Sequence, residues 1–451
     1  MERVAVIGSG VAGLGCAWNL RDVAKVTLFE QADRPGGHTN TVTVKEDGRD
    51  VPIDTGFIVF NEVTYPHLCR LFDELGVATE PSQMSFSVQH LPDGLEYNGM
   101  SVRKVFAQWR NLVRPRFHRL LGEIGRFFEV ANASLEVEVP GTVREWARAN
   151  GFSRDLLDYY LVPMSSAVWS TRPEDVMDFP AGMLIRFFYN HGFLGVKTHH
   201  PWFTVSRGAQ SYVRKIIAGT AEPRLGAKVV GVDAVDGGAE VRTSDGEREK
   251  FDRVIVATHG DQALELLDRP TDDEARLLGE FRYQRNHAML HTDERVMPKR
   301  RVAWASWNYR IEEEGKCHAK AQPASAPGNR LRGEASGSER GNRRERGFRA
   351  TTHYWMNALQ NVSPEVNYFV SINGEGTVRP DLVLYETEYD HPTFTLGAVA
   401  AQKELGGLNR RNEDQRVFFC GSYFRYGFHE DAYWSAVKVS EDVKRVLRIE
   451  R

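Results

Sequence analysis

A six-residue glycine turn near the N-terminus limits the possible folds more than anything else in the chain. Val4-Ala5-Val6-Ile7 is an unbroken apolar run, as a parallel strand buried on both faces requires. Gly8-Ser9-Gly10-Val11-Ala12-Gly13 follows at once, and Leu14 to Leu20 reads as a helix. Lys25-Val26-Thr27-Leu28-Phe29 is a second β-rich run, closed by Glu30 and Gln31. Strand, glycine turn, helix, strand and terminal acid stand in the register of a βαβ dinucleotide-binding unit. Gly8 permits the tight turn. Gly10 lets the backbone approach a pyrophosphate, with Val11 and Ala12 opening the helix behind it. Gly13 lets that helix pack closely on the strand. The helix N-terminus offers unpaired N–H groups to phosphates. Glu30 is placed to accept hydrogen bonds from ribose hydroxyls.

Bulk composition excludes several other classes. The chain has 451 residues, enough for two or three domains with a large core. Its formal net charge of −3 gives no global basic field, so no nucleic-acid partner is expected. Cys16, Cys69, Cys317 and Cys420 form no CxxC pair, which removes a thiol redox motif and predicts a reduced, cytoplasmic compartment. The chain enters its first strand at once, leaving no room for a secretory leader, and contains no apolar run of about 18 residues. His38, His191, His199, His200 and His429 make no zinc-ligand spacing, so no metal is expected. Nothing in the sequence sets an oligomeric state.

Further along, Asp33-Arg34-Pro35-Gly36-Gly37-His38 resembles the second glycine pair of glutathione-reductase-like flavoproteins, where a loop covers the phosphates of FAD. Asp54-Thr55-Gly56 resembles the amine-oxidase branch of that group. Tyr65 to Leu75 reads as a helix stopped by Gly76, and residues 83–98 as a hairpin turning at Pro92-Asp93-Gly94. Residues 101–200 are mostly helical. There Arg110, Arg114, Arg116, Arg119 and Arg126 alternate with Trp109, Phe117, Phe127 and Phe128. This is either an amphipathic helix pair with a solvated basic face or a surface that meets anionic lipid headgroups. Residues 225–260 return to β character, as do 285–310 and 351–372. The intervening 312–349 is rich in Gly, Ser, Arg and Glu, and is expected to form a flexible loop. Val417 to Ser422 is a last buried strand. Gly427 to Ala432 then opens a helix running to about Arg448.

Longer stretches carry a resemblance over nearly the whole chain. They are GGHTNTV (36–42), DTGFIVFNEVTYPHL (54–68), MSFSV (84–88), NLVRPRF (111–117), PMSSAVWST (163–171), FFYNHGF (187–193), WASWNY (304–309), YWMNALQ (354–360), HPTF (391–394) and CGSYFRYGFHEDAYWSAV (420–437). The sequence resembles predicted FAD-dependent oxidoreductases of the amine-oxidase-like superfamily, often encoded beside cyclopropane-fatty-acid synthase-like methyltransferases. The resemblance implies an α/β fold: a glutathione-reductase-like FAD-binding Rossmann domain with an inserted α+β cap. The FAD domain is expected at 1–80, 201–285 and 405–451, and the substrate domain at 81–200 and 286–404. Two positions depart from the family pattern: Ser206-Arg207-Gly208, where paired glycines are usual, and Glu430-Asp431-Ala432, where Glu-Asp-Gly is usual.

For function, the resemblance implies hydride transfer between a substrate carbon and N5 of FAD. The expected cofactor contacts are Gly8, Gly10, Val11, Ala12, Gly13, Glu30, Gln31, Gly36, Gly37, His38, Thr55, Gly56, Val229, Gly421, Glu430 and Asp431. Glu430 and Asp431 also read as ordinary acids at a helix start. His38, His429 and Tyr65 are the candidate catalytic groups. A small molecule, a fatty acyl chain above all, is the expected substrate. Trp169, Phe187, Phe188, Tyr189, Trp202, Trp307, Tyr354 and Trp355 are candidates to line its tunnel. Redox-neutral double-bond isomerisation and amine oxidation are the alternatives, the latter usually with a lysine opposite the flavin; Lys197 and Lys299 are available. Peripheral membrane contact stays open.

Overall fold

The computed structural model describes residues 1–196, 198–220, 222–313, 348–411 and 415–449. Its organising element is a four-stranded parallel sheet drawn from both ends of the chain. The order is Val417–Phe419, Arg253–Val256, Glu2–Ile7, Ala24–Phe29, with Val4 opposite both Arg253 and Val26. The apolar run read from the sequence is continuous because both faces are covered. Val4, Val6, Ile255 and Phe418 enter one core, while Ala5, Ile7, Val254, Val256 and Phe419 enter another. This is the period-two alternation of a strand. Helices Val11–Leu20 and His429–Ile449 pack together on the first face. There Cys16 and Cys420, 404 residues apart, bring their sulfurs to 3.6 Å.

The other face carries an antiparallel sheet of Val229–Val235, Gly238–Thr243 and Arg248–Phe251. Helix Leu396–Leu408 joins the same core through Ala398, Ala401 and Leu405. Its first nine residues precede the boundary expected at 404/405. Strand Arg282–His291 likewise runs across the one expected at 285/286.

A mixed seven-stranded sheet forms the floor of the second lobe. Its order is Val383–Thr393, Arg282–His291, Phe369–Ile372, Phe348–Trp355, Trp307–Glu313, Phe86–His90, Leu95–Asn98. All pairings are antiparallel except that between Trp307–Glu313 and Phe86–His90, which attaches the hairpin. Glu312 pairs with Arg349 and Glu313 with Phe348. Residues 312, 313, 348 and 349, expected within the flexible loop, therefore belong to strands instead. Average composition conceals strand ends whose charged side chains find partners within the sheet, such as Glu312, which pairs with Arg310 at 3.0 Å. Residues 314–347, including Cys317, lie outside the described residues. The roof is helical and packs around Phe127, Trp146, Leu156, Tyr160 and Phe188.

The helix expected at 65–75 spans Pro66–Leu75, with Pro66 in its first turn and Gly76 left-handed at φ 59°. Tyr65 is its N-cap. Among the described residues, no helix is long and apolar enough to cross a membrane.

Candidate active site

One cavity of about 1170 Å³ runs from the carboxyl ends of the parallel strands into the space between the seven-stranded sheet and the helical roof. Ligands of open α/β sheets bind at this end. At one extremity it touches Glu30, Gln31 and Val229; next come Gly8 to Ala12, Arg34 and Gly37. It then passes His38, Thr55, Gly56, Gly421 and His429, and Tyr65. Of the expected cofactor residues, Gly13, Gly36, Glu430 and Asp431 are the ones that do not line it.

Local geometry explains the glycines. A Cβ on Gly13 would stand 1.8 Å from the Gly8 carbonyl oxygen, so this residue sets helix-to-turn packing. Gly36 has φ +112°, and its N–H donates to the Ser9 carbonyl at 2.9 Å. It holds the second loop against the first. Gly37, at φ +56°, brings its Cβ position to 3.2 Å from the Gly10 Cα. A Cβ on Gly10 would meet nothing within 4 Å, because it would enter the cavity. Gly10 also caps helix Val11–Leu20 without a side chain, leaving the first amides free for an anion. The Glu30 carboxylate accepts from the Ser9 N–H at 2.9 Å, the Ser9 hydroxyl at 2.5 Å and the Ala32 N–H at 2.9 Å. Its remaining lone pairs face the cavity end where a ribose is expected. Cradle, open helix terminus and fixed acid all fit FAD.

At the middle of the cavity lies a group of rings that sequence reasoning found only in part. His38 stacks on Tyr389 with centroids 4.8 Å apart, and has His391 at 5.5 Å and His259 at 6.1 Å. Burial, then the neighbouring histidines and Arg34, hold His38 well below the usual imidazole range. Burial likewise lowers His391 to about 4 and His429 to about 3. These imidazoles are neutral at neutral pH. His429 Nε2 lies 2.7 Å from the Tyr212 hydroxyl and 3.0 Å from Thr39 Oγ1, with the ring flat against Phe57 at 3.9 Å. Thr55 Oγ1 meets the Tyr389 hydroxyl at 2.8 Å. Gly56 is confined because its Cβ would meet the His38 carbonyl oxygen at 2.1 Å. Thr258 and His259 were legible in principle, since they lie within three residues of the carboxyl end of the buried parallel strand Arg253–Val256.

Beyond this group the cavity turns apolar. Of the expected tunnel residues, Trp169, Phe187, Trp202, Trp307 and Tyr354 line it. Phe188 is buried in the helical core, Tyr189 is half-exposed beside a second cavity, and Trp355 donates to Asn367 Oδ1 at 2.9 Å. Lys299 does not line the cavity, and Lys197 lies outside the described residues.

The second cavity, of about 940 Å³, shares Tyr65, Phe187, His191 and Phe428 with the first. Glu430 and Asp431 face it. Asp431 accepts from the Phe428 N–H at 2.9 Å, and burial pushes its carboxyl up to about 7, with Arg425 at 3.6 Å opposing. A carboxyl raised on folding contributes stability that is present below its unfolded pKa and lost as pH rises through the folded one. Asp431→Asn keeps the acceptor and removes the titration. Comparing urea midpoints at about pH 5 and about pH 8 should show wild type losing stability relative to Asp431→Asn as pH rises. Equal differences at both pH values would rule out the raised carboxyl.

This fold and cavity define an FAD-binding flavoenzyme. The sequence pattern of the flavin-containing amine oxidoreductases matches residues 11–444, and the chain belongs to that family. No curated protein matches it. Similar solved structures share the fold at low identity. A fatty acid isomerase from P. acnes, described as producing CLA, has 14% identity and TM-score 0.62 over 98% of each chain. A double mutant of putrescine oxidase has 14% identity and TM-score 0.66 over 98% of this chain and 99% of its own. Cyclohexylamine oxidase from Brevibacterium oxydans has 14% identity and TM-score 0.63 over 100% of each.

Proposed function

We propose that this FAD-dependent oxidoreductase acts on an unsaturated or modified fatty acyl chain, removing two hydrogens from adjacent carbons. The observation that carries this reading is the apolar arm, which passes Met84, Phe86, Leu121, Ile124, Phe128 and Trp169. The carboxylates of the cavity lie elsewhere. Glu30 and Glu265 are at the nucleotide end, while Glu388 and Asp390 pair with Arg285 on the edge strand at 3.3 and 3.4 Å. An ammonium entering the arm would lose its hydration without a counter-charge, whereas a polymethylene chain gains from the same walls.

When bound, FAD supplies the two-electron acceptor. The chain's own groups do the rest. The aromatic walls exclude water and hold the acyl chain extended. In this reading His38 and Tyr65 are the polar groups beside the reacting carbons, and His429 fixes the loop of Thr39 through its hydrogen bond. Because burial holds His38 neutral, it serves as a hydrogen-bonding group without adding charge to an apolar site.

Acyl-chain analysis of cells with and without the protein tests the reading. A changed content of unsaturated or methyl-branched chains is expected, and identical profiles would defeat it. The P. acnes relative makes isomerisation the second reading. Anaerobic product formation without net flavin reduction would assign that reaction instead. Flavin bleaching by putrescine or cyclohexylamine would assign amine oxidation.

A further inference from the structure

The segment from 99 to 122 differs in charge from the rest of the chain. It contains Arg103, Lys104, Arg110, Arg114, Arg116 and Arg119 and no acidic residue, in a protein whose net charge is −3. It also carries the densest run of exposed large apolar side chains. Val102 is 77% exposed, Trp109 68% and Val113 73%, with Met100 and Leu112 more than half exposed. Scattered exposed apolar residues are ordinary; five of them among six cations within one short segment are not.

This outward display is built in. Trp109–Val113 is a 3₁₀ helix, in which positions three apart eclipse, so Trp109 and Leu112 share a face. The opposite face is tied to the hairpin. Buried Asn111 donates to the Glu96 carbonyl at 3.3 Å, and Gln108 accepts from the Glu96 N–H at 3.2 Å and donates to the Gly94 carbonyl at 3.1 Å. The segment cannot fold its apolar residues inward without breaking these bonds. Among the described residues, only Arg116 of these six cations has a carboxylate partner within ion-pair distance.

The same segment forms the rim of the apolar arm. Met100 and Val102 line the cavity and are exposed, as is Val196 on the facing loop. From this juxtaposition we infer that the 100–119 face docks on an anionic phospholipid bilayer, with Trp109, Leu112 and Val113 entering the headgroup boundary. Docking puts the mouth of the cavity against the lipid, so an acyl chain reaches the arm without crossing water. The cations supply attraction to the anionic surface and the apolar residues supply insertion, the two contributions an interfacial segment combines. The inference deepens the acyl-chain reading and rests on it for its purpose, but the binding itself is measured without turnover.

The test is co-sedimentation of the FAD-loaded full chain with phosphatidylglycerol/phosphatidylcholine vesicles and with phosphatidylcholine alone. Binding to the anionic vesicles is expected, falling with added salt. Arg103→Gln/Arg110→Gln should weaken it by about 25-fold, from roughly fivefold per cation at such a surface. Trp109→Ser/Val113→Ser should weaken it by more than about tenfold while flavin content stays at the wild-type level. Equal binding by these variants, or no binding by wild type, would overturn the inference. So would a wild-type dimer in sedimentation velocity that Trp109→Ser dissociates, because the face would then belong to a second copy. A protein that oxidises dispersed free fatty acids but ignores vesicles would overturn the docking face and leave the acyl-chain reading intact.

Discussion

A Gly13→Ala protein is expected to fail as a fold before it fails as a flavoprotein, while Gly10→Val should do the reverse. The two glycines belong to one motif and differ in what surrounds them. At Gly13 an added methyl would stand 1.8 Å from the Gly8 carbonyl oxygen and 2.9 Å from its carbon. Both are backbone atoms, so helix Val11–Leu20 must lift from the sheet. That helix buries Leu14, Cys16 and Leu20 in the main core, and lifting it opens voids beneath all three. A loss of more than about 4 kcal/mol follows, at the upper end for single substitutions. At Gly10 nothing lies within 4 Å and the backbone has φ −64°, open to any residue. Valine there costs about 1 kcal/mol as a poorer N-cap. Its side chain fills the cradle, however, and overpacking against a pyrophosphate should lower FAD affinity on the order of 100-fold. Urea denaturation of the flavin-free proteins and flavin titration separate the two effects. Gly10→Val purifying with full flavin would place the phosphates elsewhere, and Gly13→Ala with a parental urea midpoint would refute the packing argument.

The contrast shows what kind of information the sequence carries. The βαβ unit, the second glycine pair and the helix ending at Gly76 were legible because each rests on local backbone requirements. Residues 396–404 were not, because helix Leu396–Leu408 is placed by burial of Ala398, Ala401 and Leu405 against strands from both ends of the chain. Tyr389 and His391 escaped notice for a similar reason: strand Val383–Thr393, more than 340 residues further along the chain, brings both to His38. Arg207 is instructive in the opposite direction. The family pattern has glycine nearby, and here Arg207 takes φ 62°, the left-handed region that favours glycine. The turn is kept and the arginine bears the strain. Gly208, at φ +89°, cannot be replaced as easily, since its Cβ would meet Thr41 Cγ2 at 2.4 Å.

Glu430→Ala is expected to destabilise the protein by about 3 kcal/mol and to leave FAD affinity nearly unchanged. Position in the sequence points its carboxylate toward the flavin edge; its hydrogen bonds point elsewhere. Helix Pro66–Leu75 has Tyr65 as N-cap, which supplies no side-chain acceptor. Glu430, more than 360 residues away, supplies it instead. One oxygen accepts from the His67 N–H at 3.1 Å and lies 2.7 Å from His67 Nδ1, and the other accepts from the Leu68 N–H at 2.9 Å. Glu430 is 3% exposed, so removing its carboxylate leaves two amides without a partner and withdraws a negative charge from a helix N-terminus. Glu430→Gln keeps one acceptor oxygen and should lose about half as much. The effect also reaches function. This bond couples the helix that carries His429 to the one that begins after Tyr65, and both residues line the larger cavity. Activity should therefore fall with the substitution even where flavin content does not. Urea midpoints, flavin titration and the flavin reduction potential distinguish the two roles. Unchanged stability with a shifted potential would return Glu430 to the flavin edge, whereas lost stability at an unchanged potential assigns it to the cap.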